Sequence, residues 1–180
     1  MSSPQTLSEA DRRTVAAWAA DCAERVLPLF EAEVPDDDRP REAIARARAF
    51  ARGDLGAAGE IRRRFVAGRA ARGVSNVGAA AARSAAQAAG VAHMGAHALG
   101  AAAYAAKAAG LAEPSRPEAT DQEVRWQLQH MPNDVADALR RLPALGEDSA
   151  GPLGAGLLAS GALGRIIRDI QSALDARGPA

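Results

Sequence analysis

Between Ala79 and Ala109, eighteen of thirty-one residues are alanine, and only Arg83 and Lys107 carry a full charge. Alanine has the highest intrinsic helix propensity, so the stretch is expected to be helical despite Gly90, Gly95 and Gly100. A helix with almost no charge around its circumference belongs at the centre of a domain. Ser75 is placed to cap it, as one helix or as a pair broken at Gly90, and Gly110 to end it in the left-handed conformation. Small side chains let neighbouring helices approach closely. His93, His97 and Tyr104 are then either satisfied core groups or the site.

The rest of the chain carries the same helical period. Ser8 can cap a first helix, with Glu9 and Asp11 in its first turn and Val15, Ala19, Cys22, Val26 and Leu29 on one face. Pro28 is a point where that helix can bend, and Pro35 lies past its end. Asp38 and Pro40 open a second helix carrying Ile44, Ala47, Phe50 and Ala51, which Gly53 stops. A third starts at Asp54, carries Ile61 and Phe65, and closes near Gly73. Thr120-Asp121-Gln122-Glu123 reads as a capping box before Val124, Trp126, Leu128 and Met131. Pro132 opens another helix, with Val135, Leu139 and Leu142. The last one bears the stripe Leu163, Ile166, Ile167, Ile170 and Leu174.

No segment alternates with a two-residue period, so no strands are expected. The fold class is all-α: a single-domain bundle of about seven helices around the Ala-rich one. Residues 1–7 read as a loose tail and 8–142 as the helical domain. Residues 143–180 read as a Gly/Pro linker and an amphipathic helix whose stripe suits a homodimer.

Twenty-two basic residues balance 22 acidic ones. No overall attraction to nucleic acid or to an anionic membrane is expected. Arg62, Arg63 and Arg64 lack interleaved aromatics and read as a solvated helix face. Cys22 is the only cysteine, which fits a reducing compartment, and its apolar helical neighbours make it a buried structural thiol. The amino terminus shows no signal peptide, and the Ala-rich stretch is too weakly hydrophobic for a membrane span; a cytoplasmic location is expected. No nucleophile arrangement or phosphate loop is present, so a nucleophilic enzyme is not supported; other enzymatic roles stay open, and no cofactor is expected.

Three constellations remain. His93 and His97 are four apart, with Tyr104 and Lys107 on the same side and Arg83 near it. Such a pair can grip a metal, but Met94 stands where the zinc-protease motif has glutamate, and no third ligand is fixed; no metal residue is assigned. Trp18, Asp21 and Arg25 lie on adjoining turns. There Asp21 is read as pairing with Arg25 or, alternatively, as orienting an imidazole of the central helix. Glu31, Glu33, Asp36, Asp37 and Asp38 precede Arg39 and Arg41, as a solvated loop and helix cap or as an acidic patch for a basic partner. The candidate ligand-binding residues are Trp18, Asp21, Arg25, Asp37, Asp38, Arg39, Arg41, His93, His97 and Tyr104. None is assigned a catalytic role.

Three stretches also match a known pattern. They are Trp18-Ala-Ala-Asp21-Cys22-Ala23-Glu24-Arg25-Val26-Leu27, then Asp37-Asp38-Arg39-Pro40-Arg41-Glu42-Ala43-Ile44, and then the run from Ala92 through His93 and His97 to Ala108. Together they resemble the immunity-five-like family of bacterial immunity proteins over about residues 7 to 140. Glu123 to Gln129, with Trp126, fits the family's late helix. The fit is loosest between Gly56 and Gln87, and the segment from Pro152 onward looks added. The resemblance implies a small α-helical cytoplasmic protein that binds and neutralises a cognate toxin. The alternative from the residues themselves is a small-molecule-binding helical protein, a resistance factor or an enzyme of natural-product metabolism. It would gather His93, His97, Tyr104, Asp21 and Trp18 around a cavity.

Overall fold

A computed structural model describes residues 3–63 and 66–178. Among these the protein is all-α, with one isolated bridge between Asp148 and Gly154. The helices are α1 (Glu9–Glu31), α2 (Arg39–Arg52), α3 (Ala57–Arg63), α4 (Val66–Arg69), α5 (Asn76–Gly90), α6 (His97–Ala112), α7 (Ala119–Gln129), α8 (Asn133–Arg140) and α9 (Gly161–Arg177). Single 3-10 turns cover Pro4–Thr6 and Leu157–Ala159.

The centre is a layer of α1, α5 and α6, each packed on the other two. On α6 every residue from Ala98 to Ala106 is buried, so the small, uncharged side chains do face other helices on all sides. Ser84 on α5 donates its hydroxyl to the Ala101 carbonyl at 2.8 Å, a contact only a very close helix pair permits. Around this layer α2 covers α1 and α5, α7 and α9 cover α6, and α8 bridges α1 and α9. Leu163, Ile166, Ile167, Ile170 and Leu174 of α9 are all buried in the chain's own core. Each contributes roughly 1.5–3 kcal/mol by leaving water. The stripe expected to suit a homodimer is therefore consumed within the chain.

Local signals held where the capping group and its target are neighbours in sequence. The Ser8 and Ser75 hydroxyls accept from the Asp11 and Gly78 amides, and Gly53 ends α2 at φ +89°. Two of the expected helices divide. The Ala-rich rod breaks after Gly90 and folds back, and the helix expected from Asp54 to Gly73 is α3 plus the single turn α4. The expectations for Ile61, Phe65 and Arg62–Arg64 concern side chains outside the described residues.

Gly110 does not end α6, which runs to Ala112; its missing Cβ admits the Thr120 side chain instead. Thr120 consequently caps nothing, and α7 starts at Ala119 without a side-chain cap. Asp38 occupies the N-cap of α2 without a cap hydrogen bond, because Asp37 accepts from the Arg39 amide.

The amino-terminal segment is not loose over residues 3–7. Gln5 is fully buried, donating to Asp148 Oδ2 at 2.8 Å and Ala150 O at 2.6 Å and accepting from the Leu153 amide at 2.9 Å. The Thr6 and Gln5 carbonyls accept the Gly95 and Ala96 amides, 3.0 Å each. A single glutamine thus joins the first residues, the α5–α6 connection and the 148–153 segment. Residues 143–156, expected as a linker, form part of this packed seam, with Leu153 wholly buried.

Candidate functional site

The break after Gly90 changes how the two imidazoles meet. His93 lies in the connection and His97 is the first residue of α6, so they do not share a helix face as their spacing implied. The reversal nevertheless sets both on one cleft of about 720 Å³. Tyr104 joins it from two turns along α6, Arg83, Gln87 and Gly90 from α5, and Arg69 and Arg72 from α4 and the turn after it. His97 Nδ1 lies 2.7 Å from Gln87 Oε1. A carbonyl oxygen only accepts, so Nδ1 carries the proton.

The glycines in these alanine helices make the cleft possible. A Cβ at Gly90 would lie 3.0 Å from His97 Cγ, and one at Gly100 would run into the Gln87 amide. Backbone without a side chain at these two positions is what lets the imidazole and its partner lie flat against the helix pair.

Among the described residues no aspartate or glutamate lines the cleft. Arg69, Arg72 and Arg83 form no ion pair with any described residue, whereas ten other arginines, from Arg13 to Arg141, do. Tyr104 is buried, and its hydroxyl bonds no described residue. Burial pushes its phenol up from the ordinary tyrosine value while the Arg83 charge pulls the other way, so the group is a neutral donor at physiological pH. The cleft is therefore cationic, with hydrogen-bond donors at its floor.

Past His93 and His97 the cleft opens into a second lobe of about 350 Å³ that shares Gln87, His93, His97 and Tyr104 with the first. Its far wall is apolar: Met94, Pro152, Leu157 and Leu158, with Gly151 and Gly156 between.

The other candidates lie elsewhere. Trp18 is buried in the core and donates its indole N–H to Gln127 O at 3.1 Å. Asp21 and Arg25 do not pair with each other, and Asp21 orients no imidazole. Asp21 takes Arg48 of α2 at 2.8 Å. Arg25 makes two hydrogen bonds to Glu123, 2.9 and 3.0 Å, and stacks 3.8 Å over the Trp126 ring. Glu123 is only 6% exposed, and a buried carboxylate requires a cation more than a surface aspartate does. Arg25 also borders a separate cavity of about 490 Å³ beside α7.

At the α1–α2 turn Arg39 holds Asp37, Arg41 holds Glu31, and Glu33 accepts from the Ser75 hydroxyl at 2.7 Å. The hydrogen bond from Arg39 keeps the Asp37 carboxyl below its usual value. None of Asp37, Asp38, Arg39 and Arg41 lines the cleft, and neither does Lys107. Cys22 is fully buried, and burial, followed by the nearby Glu123 and Asp21 charges, pushes its thiol well above the usual range.

Sequence reasoning missed Gln87, Arg69, Arg72 and the 151–158 wall. Gln87 had a signal: it is the one amide in an otherwise alanine-lined turn, ten residues before His97. The two arginines had none, because their place depends on the packing of α4 on α5. Among the described residues no three His, Cys, Asp or Glu side chains are grouped to hold a metal ion, and no helix is long and apolar enough to cross a membrane.

Residues 5–134 match the family model described as Imm-5 like putative immunity protein. The chain belongs to this family. No curated protein and no solved structure matches it. The span shared with the immunity family contains α1 to α7 and every residue lining the cationic lobe, including Arg69, Arg72 and Arg83. The apolar wall at 151–158 lies outside that span.

Proposed function

We propose that this immunity-family protein neutralises a cognate bacterial toxin by direct protein–protein contact, and that the contact is centred on the cationic cleft. The observation carrying the reading is the set of three arginines that, among the described residues, have no carboxylate partner, around a concave surface that no described acid lines. Charge left unpaired in a concavity raises the local potential, speeds the approach of an oppositely charged surface and fixes its register. The acidic run at 31–38, the obvious alternative from sequence, has spent Glu31, Glu33 and Asp37 on contacts within the chain. An acidic element of the toxin entering between Arg69, Arg72 and Arg83 would gain charge-assisted hydrogen bonds that nothing in the free protein supplies.

The test is co-expression with the cognate toxin. The wild-type chain is expected to restore growth, and the double variant Arg72→Glu/Arg83→Glu to lose that protection while remaining folded. Asp36→Lys/Asp38→Lys should protect as the wild type does. Protection that survives the arginine reversals and fails with the aspartate reversals would move the contact to the α1–α2 turn.

A further inference from the structure

The cleft has two chemically different halves joined at one waist, and the toxin contact proposed above engages only the cationic one. At the cationic end Arg83 projects from α5 with no carboxylate partner among the described residues. At the waist stand His93, His97 and Tyr104, common to both halves. The far half is walled by Leu157 and Leu158 on the second 3-10 turn, and Leu157 leaves 68% of its surface in water. The two volumes, about 720 and 350 Å³, fall in the range of small-ligand sites, and among the described residues neither half is lined by an acid.

We infer that this cleft is a recognition site for a carboxylate carried on an apolar stem, the head held between Arg83 of the cationic end and Tyr104 of the waist, and the stem laid along Leu157 and Leu158. The head gains a guanidinium and the Tyr104 hydroxyl as donors; the stem removes both its own apolar surface and that of the Leu157 wall from water. A bare anion engages only one half, and a neutral alkyl chain only the other. The choice of carboxylate over other anions rests on the reading above, because a protein partner offers carboxylates. The stem requirement comes from the apolar wall alone. The same chemistry is supplied by a free organic acid or by an acidic residue flanked by apolar ones in the toxin.

Calorimetric titration of the full chain with decanoate, acetate and 1-decanol, below micelle-forming concentrations, tests it. Decanoate is expected to bind at least about tenfold tighter than acetate, as burial of only about two methylenes would give. It should also bind more tightly than decanol. Arg83→Glu is expected to abolish the preference for decanoate over decanol. Leu157→Gln, a change at an exposed position, is expected to bring decanoate close to acetate.

Tyr104, the only tyrosine of the chain, reports on the site itself: bound decanoate should move its ionisation to higher pH. Equal binding of decanoate and acetate, equal binding of decanoate and decanol, or an unmoved Tyr104 signal with saturating decanoate would each overturn the inference. Competition then separates the sources and the two proposals. Decanoate that binds the cleft without displacing the toxin leaves this inference standing and removes toxin docking there. Loss of protection in the arginine variants without decanoate binding does the reverse.

Discussion

The α1–α2 turn and the α5–α6 cleft are both rich in charge, and they have opposite economies. At the turn three of the five acids have a partner: Asp37 with Arg39, Glu31 with Arg41, Glu33 with Ser75. Around the cleft Arg69, Arg72 and Arg83 have none among the described residues. In the sequence the turn is the louder region, five acids with no base between them, while the three arginines are scattered over fifteen residues. The comparison teaches that charge density along a chain says little about partners. What matters is whether the fold has already neutralised it.

The largest effect expected from breaking a paired charge is at α7. Arg25→Ala strands Glu123, which is 6% exposed, and should lower stability by about 3 kcal/mol, the lower end for an uncompensated buried charge. Urea unfolding measures it, and a loss well under about 1 kcal/mol would mean that Glu123 does not need its partner.

Next comes the cleft floor. Gly100→Ala drives a methyl group into Gln87 and should cost about 1–3 kcal/mol through overpacking. It should also disturb the His97 ring that Gln87 holds, visible as shifted imidazole resonances. Unmoved His97 signals would show that Gln87 does not position it.

Smaller still is the effect of removing an unpaired charge: Arg83→Ala should leave stability within about 0.5 kcal/mol of wild type. The same variant should raise the Tyr104 titration further, since the charge that opposes the effect of burial is gone. The sign for stability follows. A phenol whose folded value is raised stabilises the fold below the ordinary tyrosine value of about 10, and that contribution is lost as pH rises through the raised value. A Tyr104 titration unchanged by Arg83→Ala would place the guanidinium outside the cleft.

The smallest change is at the turn. Asp37 has a lowered carboxyl, so its contribution is present above about pH 4 and disappears as pH falls through the lower folded value. Asp37→Asn should flatten the acid limb of the stability profile slightly and leave protection against the toxin intact.

What could be read from the sequence was what is decided within one turn of helix. Ser8, Ser75 and Gly53 act on amides three or four residues away, and their roles were evident without the fold. The burial of the Ala-rich stretch was equally legible from its lack of charge. Its reversal was not resolved: alanine propensity favours one rod, while the turn is fixed by Gln5 and Thr6 accepting the Ala96 and Gly95 amides some ninety residues along the chain.

The same distance hid the partners of Asp21 and Arg25. Spacing offered them each other, and α2 and α7 supplied better ones. Of the cleft residues, His93, His97 and Tyr104 stood out against alanine, and Arg83 lay near them. Arg69, Arg72 and Leu157 become cleft residues only when α4 and the 151–158 segment close over α5 and α6.

The central claim is that the arginines left unpaired around the cleft are the ones that meet the toxin. Amide hydrogen exchange on the free protein and on its complex with the toxin tests it without altering a residue. Slower exchange in the complex at 68–72 and 91–97, with 36–41 unchanged, is the predicted outcome. Slowing confined to 36–41, with the cleft exchanging as in the free protein, would contradict it.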